Sequence, residues 1–176
     1  MPIQDYIAEP LAWTQPHMLT SDYELRHGQE LIGSLRFRSS WGSLATAEVD
    51  GGCWTFKRLG FFHTRVSIRA CNSETDLGIF RNNTWSGGGT LELPDERRFP
   101  ANTNFWHSRY EFVAPDGTPL ILYRTKKGFR LNGEMEMLPS VKAMKEAPWL
   151  AMLGWYLAVM MYRDDSAAAA VAITAG

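Results

Sequence analysis

PWLAMLGWYLAVMMYRDD, residues 148–165, decides how the rest of this chain is read. From Pro148 to Tyr162 no side chain is charged. A surface helix keeps one polar face, whereas a helix apolar all round is a buried one. As a helix this uncharged run reaches roughly 22 Å at ~1.5 Å per residue, short of the ~30 Å hydrocarbon core of a bilayer. Lys142 and Lys145 before it and Arg163 after it would pin an anchor at both ends, but such a span requires the bilayer to thin around it. A helix under one sheet of a sandwich would leave one face wet, and this run has no polar stripe. The remaining solution is a helix sheathed by strands on all sides, with Gly154 permitting one close approach to the wall.

The residues before 140 supply the strands. Turn signals recur about every ten residues, among them His27-Gly28, Asp50-Gly51-Gly52, Asn72-Ser73, Asn82-Asn83, Pro94-Asp95, Pro115-Asp116-Gly117 and Lys127-Gly128. That rhythm indicates many short strands. Between the turns, side chains alternate. Leu31, Gly33, Leu35 and Phe37 oppose Ser34, Arg36 and Arg38, and Val66, Ile68 and Ala70 oppose Arg65, Ser67 and Arg69. Phe129, Leu131, Gly133, Met135 and Met137 oppose Arg130, Asn132, Glu134 and Glu136. Antiparallel strands with one buried and one wet face read this way. A closed antiparallel β-barrel of about twelve strands has room for a central helix and leaves no exposed strand edge. The expected organisation is one all-β domain over 1–176, with the hydrophobic helix at about 148–163 and an Ala-rich tail at 166–176. Ser140 is placed to cap a short helical approach. The tail reads equally as a strand, a helical fringe or a loose end.

One register can be derived. If Trp54 and Phe56 share the inner face with Val66, Ile68 and Ala70, the strands 53–59 and 65–71 need a loop centred near Phe62. This sets Cys53 opposite Cys71 and Lys57 beside Arg65, Ser67 and Arg69 on the outer face. A Cys53–Cys71 bridge is conceivable on that geometry. The N-terminus, MPIQDYIAEP, has neither a basic start nor an apolar h-region. The expectation is therefore a cytoplasmic chain, peripheral to a membrane at most, with both thiols reduced.

Composition excludes several classes. The 176 residues suffice for a real core, and 45% hydrophobic with 21% charged residues is an ordinary globular balance. A net charge of -1 gives no overall field to draw nucleic acid or anionic lipid. No CxxC and no paired His spacing among His17, His27, His63 and His107 suggests a metal site. Ser86-Gly87-Gly88-Gly89 lacks a Gly-Lys-Ser/Thr ending and reads as a hairpin loop, not a phosphate cradle. His107 and Ser108 are strand neighbours and point to opposite faces, so they cannot form a nucleophile pair. No cofactor is expected, and no set of residues suggests an enzyme.

The order of short strands, a polar approach and a wholly apolar helix resembles the tubby C-terminal-like superfamily. The likeness is carried by RRFPANTNFWHSRYEFVAPDGTPLILYRTKKGFRLNGEMEM (97–137) and PWLAMLGWYLAVMMYRDD (148–165), and it covers roughly residues 30 to 165. These segments look like uncharacterised bacterial relatives of the LURP-one-related and phospholipid scramblase-like branch. The resemblance implies a twelve-stranded barrel around a central hydrophobic helix, and a non-enzymatic role at lipid or membrane surfaces. Tubby domains bind phosphoinositide headgroups through basic side chains on the barrel wall, and those positions have no residue-by-residue match here. Scramblases use an acidic calcium-binding segment. Asp164-Asp165 is the nearest pair, and two carboxylates are too few for a calcium loop.

The best anion- or lipid-binding candidates are Lys57, Arg65 and Arg69, with Arg36 and Arg38 adjacent, facing an anionic phospholipid surface. The competing account of these residues is an ordinary charged barrel exterior. Trp41, Trp85 and Trp106 are candidates for a contact surface, although Trp54 and Trp106 are also expected to face the helix, and Lys126 and Lys127 to serve solubility. The alternative function is a small hydrophobic-ligand carrier with a lipocalin-like barrel, which requires an empty bore.

Overall fold

The computed structural model describes residues 1–83, 87–104 and 106–176. The strands are β1 (Pro10–Thr14), β2 (Asp22–His27), β3 (Glu30–Phe37), β4 (Ala45–Val49), β5 (Gly52–Leu59) and β6 (Arg65–Ala70), followed by β7 (Asp76–Asn82), β8 (Gly89–Glu92), β9 (Arg98–Thr103), β10 (Arg109–Val113), β11 (Pro119–Lys126) and β12 (Asn132–Met137). Each pairs antiparallel with its neighbours in the chain, and β12 returns to β1, closing a twelve-stranded barrel. A single helix, α1 (Ala147–Thr174), runs through the bore. From Trp149 to Met160 every residue of α1 is buried. The absence of a polar stripe is thus a direct consequence of strands on all sides. No helix among the described residues is long and apolar enough to cross a membrane.

Two close approaches set the helix against the wall. A Cβ on Gly154 would lie 2.1 Å from the Tyr123 ring, and a Cβ on Gly133 2.8 Å from that of Trp155. The Tyr123 hydroxyl uses the first gap to donate to the Ala151 carbonyl at 2.9 Å. Beside Gly133, its cross-strand partner Trp13 stacks on Trp155 with ring centroids 5.2 Å apart, and Phe37 stacks on Tyr156 at 5.5 Å. The buried aromatic side chains therefore fill the space between helix and sheet.

The derived register holds. Trp54 pairs with Ala70, Phe56 with Ile68 and Lys57 with Ser67, and the loop between the strands is 60–64. It places Cys53 across from Cys71 at a Cα separation of 5.4 Å, and the two form a disulfide rather than the expected pair of thiols. Strand geometry brings the sulfurs together, whereas the reduced reading rested on compartment alone.

Other expectations change. A register shift at Leu25/Arg26 turns Leu31 outward, leaving it 53% exposed. Phe129 precedes β12 and is a loop tip rather than an inner strand residue. Ser140 caps nothing: it sits within a short 3-10 turn, Pro139–Val141, that has no side-chain cap. The Ala-rich residues continue α1 as far as Thr174, as exposed helix beyond the barrel. Helix hydrogen bonding propagates easily into alanines once a long helix already exists.

Candidate functional site

An up-and-down barrel sends alternate connections to the same end. The connections 15–21, 38–44, 60–64, 83–88, 104–108 and 127–131 therefore share one end, and α1 leaves the barrel through it. This end carries most of the large exposed apolar side chains of the described residues. Trp41 is 98% exposed, Phe129 97%, Leu19 94%, Phe61 89%, Phe62 83% and Trp106 74%. Trp106 thus points outward instead of toward the helix, whereas Trp54 packs against the core. Trp85 and Ser86, expected at the fourth of these loops, lie outside the described residues.

Charge divides the two ends as sharply. None of these six connections contains Asp or Glu, while Arg38, Lys127 and Arg130 supply cations. The connections at the other end carry Asp50, Glu74, Asp95, Glu96 and Asp116. One end is therefore aromatic and basic, the other acidic and built on Asp-Gly and Pro-Asp turns.

α1 brings two carboxylates to the aromatic end, and both are engaged. Arg58 holds Asp164 through two nitrogens, at 2.6 and 3.1 Å. Asp165 accepts from Lys127 at 3.0 Å and lies 3.2 Å from His107 Nδ1. Burial works to raise the Asp165 carboxyl, but the bonds from Lys127 and His107 outweigh it and hold the group below its usual value. Lys127, expected to serve solubility, is a clamp that also donates to the Trp106 carbonyl at 3.3 Å. Tyr162 donates to Gly128 O at 3.0 Å, and Arg163 to Gly42 O at 2.9 Å with its guanidinium 4.0 Å above the Phe37 ring. These bonds fasten three of the aromatic loops to the emerging helix.

Beside α1 at this end lies a cleft of about 260 Å³. No group of three or more His, Cys, Asp or Glu among the described residues could hold a metal ion. His107 is turned to Asp165, and Ser108 Oγ instead accepts from Asn104, so the two form no nucleophile pair.

The three cations singled out from the sequence lie on one outer face. Lys57 faces Ser67, Arg65 faces Leu59 and Arg69 faces Thr55. Their surroundings differ. Arg69 is engaged by Asp76 at 2.6 Å and Glu74 at 3.1 Å. The bond from Arg69, with a second from Ser67, holds the Asp76 carboxyl below its usual value. Lys57 and Arg65 are exposed and sit next to the 60–64 loop, at the edge of the aromatic end. Arg36 and Arg38, also exposed, lie on β3 and just beyond it. The aromatic end was missed because its residues come from separated loops. The available signal was an aromatic in five of these six alternate connections.

Compared with known proteins, the chain matches no family model and no curated protein. It is similar to the X-ray structure of an Arabidopsis thaliana protein at 12% identity and a TM-score of 0.54, over 85% of this chain and 93% of that one. This likeness concerns the fold alone. No closer relationship follows from it.

Proposed function

We propose that this barrel is a non-enzymatic scaffold of the tubby-like type that docks on anionic phospholipid membranes. It does so end-on, through its six-loop aromatic end. The observation that carries the reading is the coincidence at that end of exposed Trp and Phe side chains with loops that lack carboxylates. Amphipathic and aromatic rings are favoured at the headgroup level, and apolar groups there gain from burial while neighbouring cations meet anionic lipid. Arg38, Lys57, Arg65 and Arg130 ring this face. Asp164 and Asp165 do not oppose the contact, since Arg58 and Lys127 neutralise them. A second copy of the same face would bring cation against cation. The carrier reading needs an open bore, and α1 fills it.

Vesicle flotation tests the proposal. Wild type is expected to float with phosphatidylserine-containing vesicles at about 0.1 M salt and to be released at about 1 M, where screening shortens to ~3 Å. Trp41→Ser with Phe61→Ser and Phe129→Ser should weaken flotation, as should Lys57→Glu with Arg65→Glu. Arg69→Ala should not, because that cation is already occupied. A wild-type chain that stays in the aqueous fraction at low salt overturns the reading.

A further inference from the structure

The cleft at the aromatic end has a chemistry that the docking reading does not use. It lies between α1 and the wall formed by β5, β6, β7 and β10. Its most buried lining is Val66 at 1%, Tyr110 at 2%, Leu157 at 4% and Met160 at 6% exposure, so its floor is apolar. Its rim is polar and includes Arg58, Asn82, Asn83 and His107. On the other flank of α1, Trp155 and Tyr156 fill the space against Trp13 and Phe37. On this flank α1 presents the aliphatic side chains Leu157 and Met160, and a gap of about 260 Å³ remains open to the aromatic end.

We infer that this cleft is a binding site for one short alkyl chain, entering tail first and leaving its head among the rim residues. Three observations select that ligand. The floor offers no hydrogen-bonding side chain except the Tyr110 hydroxyl, so a phosphate or sugar seated there would lose its water without replacement. The rim charges are internally balanced, Arg58 by Asp164 and Lys127 by Asp165, so a free ion finds no net counter-charge. The volume lies just below the about 300–1,000 Å³ of drug-sized pockets, which suits a narrow unbranched chain. Met160 and the neighbouring Met161 can reshape around such a chain, since thioether side chains are flexible and polarizable. The chain could arrive from a dissolved single-chain amphiphile or from a lipid of the docked membrane. Alkyl recognition is common to both, and it does not depend on the docking proposal.

The test uses alkyl maltosides of increasing length, each below its micelle concentration, titrated calorimetrically into the full chain. Affinity should rise about fourfold per added methylene and stop rising once the cleft is full. Met160→Trp should abolish the dependence on length, and Val66→Phe, a milder filling of the same floor, should shorten the length at which it stops. Both variants should still float with anionic vesicles, which separates this site from the docking face. Sodium decanoate, titrated alongside, shows whether an anionic head is tolerated at the rim. If decanoate and the maltosides bind with the same affinity whether or not anionic vesicles are present, the source is the dissolved amphiphile. The inference is overturned if wild type binds no maltoside, if affinity rises without a limit, or if the filled variants bind as wild type does.

Discussion

Gly154 of the central helix lies directly against the ring of Tyr123, whose hydroxyl reaches past it to the Ala151 carbonyl at 2.9 Å. The two residues are a matched pair: the missing Cβ makes room for the ring, and the ring fastens the helix to β11. Gly154→Ala would place its methyl within 2.1 Å of that ring. The expected cost is about 1–3 kcal/mol, the range for overpacking a closed core. Urea unfolding measures it. Tyr123→Leu is destabilising alone, yet in combination with Gly154→Ala the losses should be less than additive. Strict additivity would mean that the two do not compete for the same space.

Acid stability should depend on the collar around the emerging helix. Asp165 is held below its usual value by Lys127 and His107 against the opposing effect of burial. A group whose folded value is depressed stabilises the fold above its unfolded value, ~3.9 for Asp, and that contribution is lost as pH falls through the folded value. Asp165→Asn should therefore flatten the loss of thermal stability below about pH 4. At neutral pH, where that contribution is present, the variant should be less stable by the same increment, a modest one because the carboxylate is 41% exposed. Circular-dichroism melts at stepped pH decide this, and equal acid limbs for the two proteins would remove the argument.

Tryptophan emission should divide into two populations. Trp13 and Trp155 are 0% exposed inside the barrel, while Trp41 and Trp106 are 98% and 74% exposed at its end. Iodide should quench only a fraction of the signal and leave a blue-shifted remainder. With vesicles, brominated lipid should reach the iodide-accessible fraction and spare the remainder. Quenching of the blue-shifted emission by brominated lipid would mean that α1 lies in the bilayer and not in the bore.

The Cys53–Cys71 bridge joins neighbouring strands that are already paired. Reduction should leave the barrel folded but less stable by about 3 kcal/mol, the loop-entropy value for a short closed segment. Denaturant titration with and without reductant gives the number. A non-reducing peptide map that recovers the two cysteines in separate peptides would contradict the link itself.

Much of the architecture was legible because it depends on local pattern. Fifteen uncharged residues from Pro148 to Tyr162 require enclosure, and period-two alternation with regular turns requires antiparallel strands. The pairing of β5 with β6 followed from parity, since a one-residue slip would expose Trp54 and Phe56. What escaped was non-local or competed with that pattern. Leu31 kept the inner parity but lost it to a register shift, and Phe129 kept it but lies beyond the strand.

The candidate site was hardly legible for the same reason. Lys57, Arg65 and Arg69 could be placed on one face from the strand period, but their difference could not be read. Asp76 meets Arg69 as its cross-strand partner on β7 only through a register shift at Ile68/Arg69, and Glu74 reaches it from the 71–75 connection. By itself the sequence determined that a helix must be wrapped by a closed sheet, because apolar surface without a polar stripe has no stable place in water. Only the tertiary structure decided which loops meet. Barrel closure gathers Trp41, Phe61, Trp106 and Phe129 from distant segments at the end where α1 emerges, and it brings Asp164 and Asp165 to the cations of the wall.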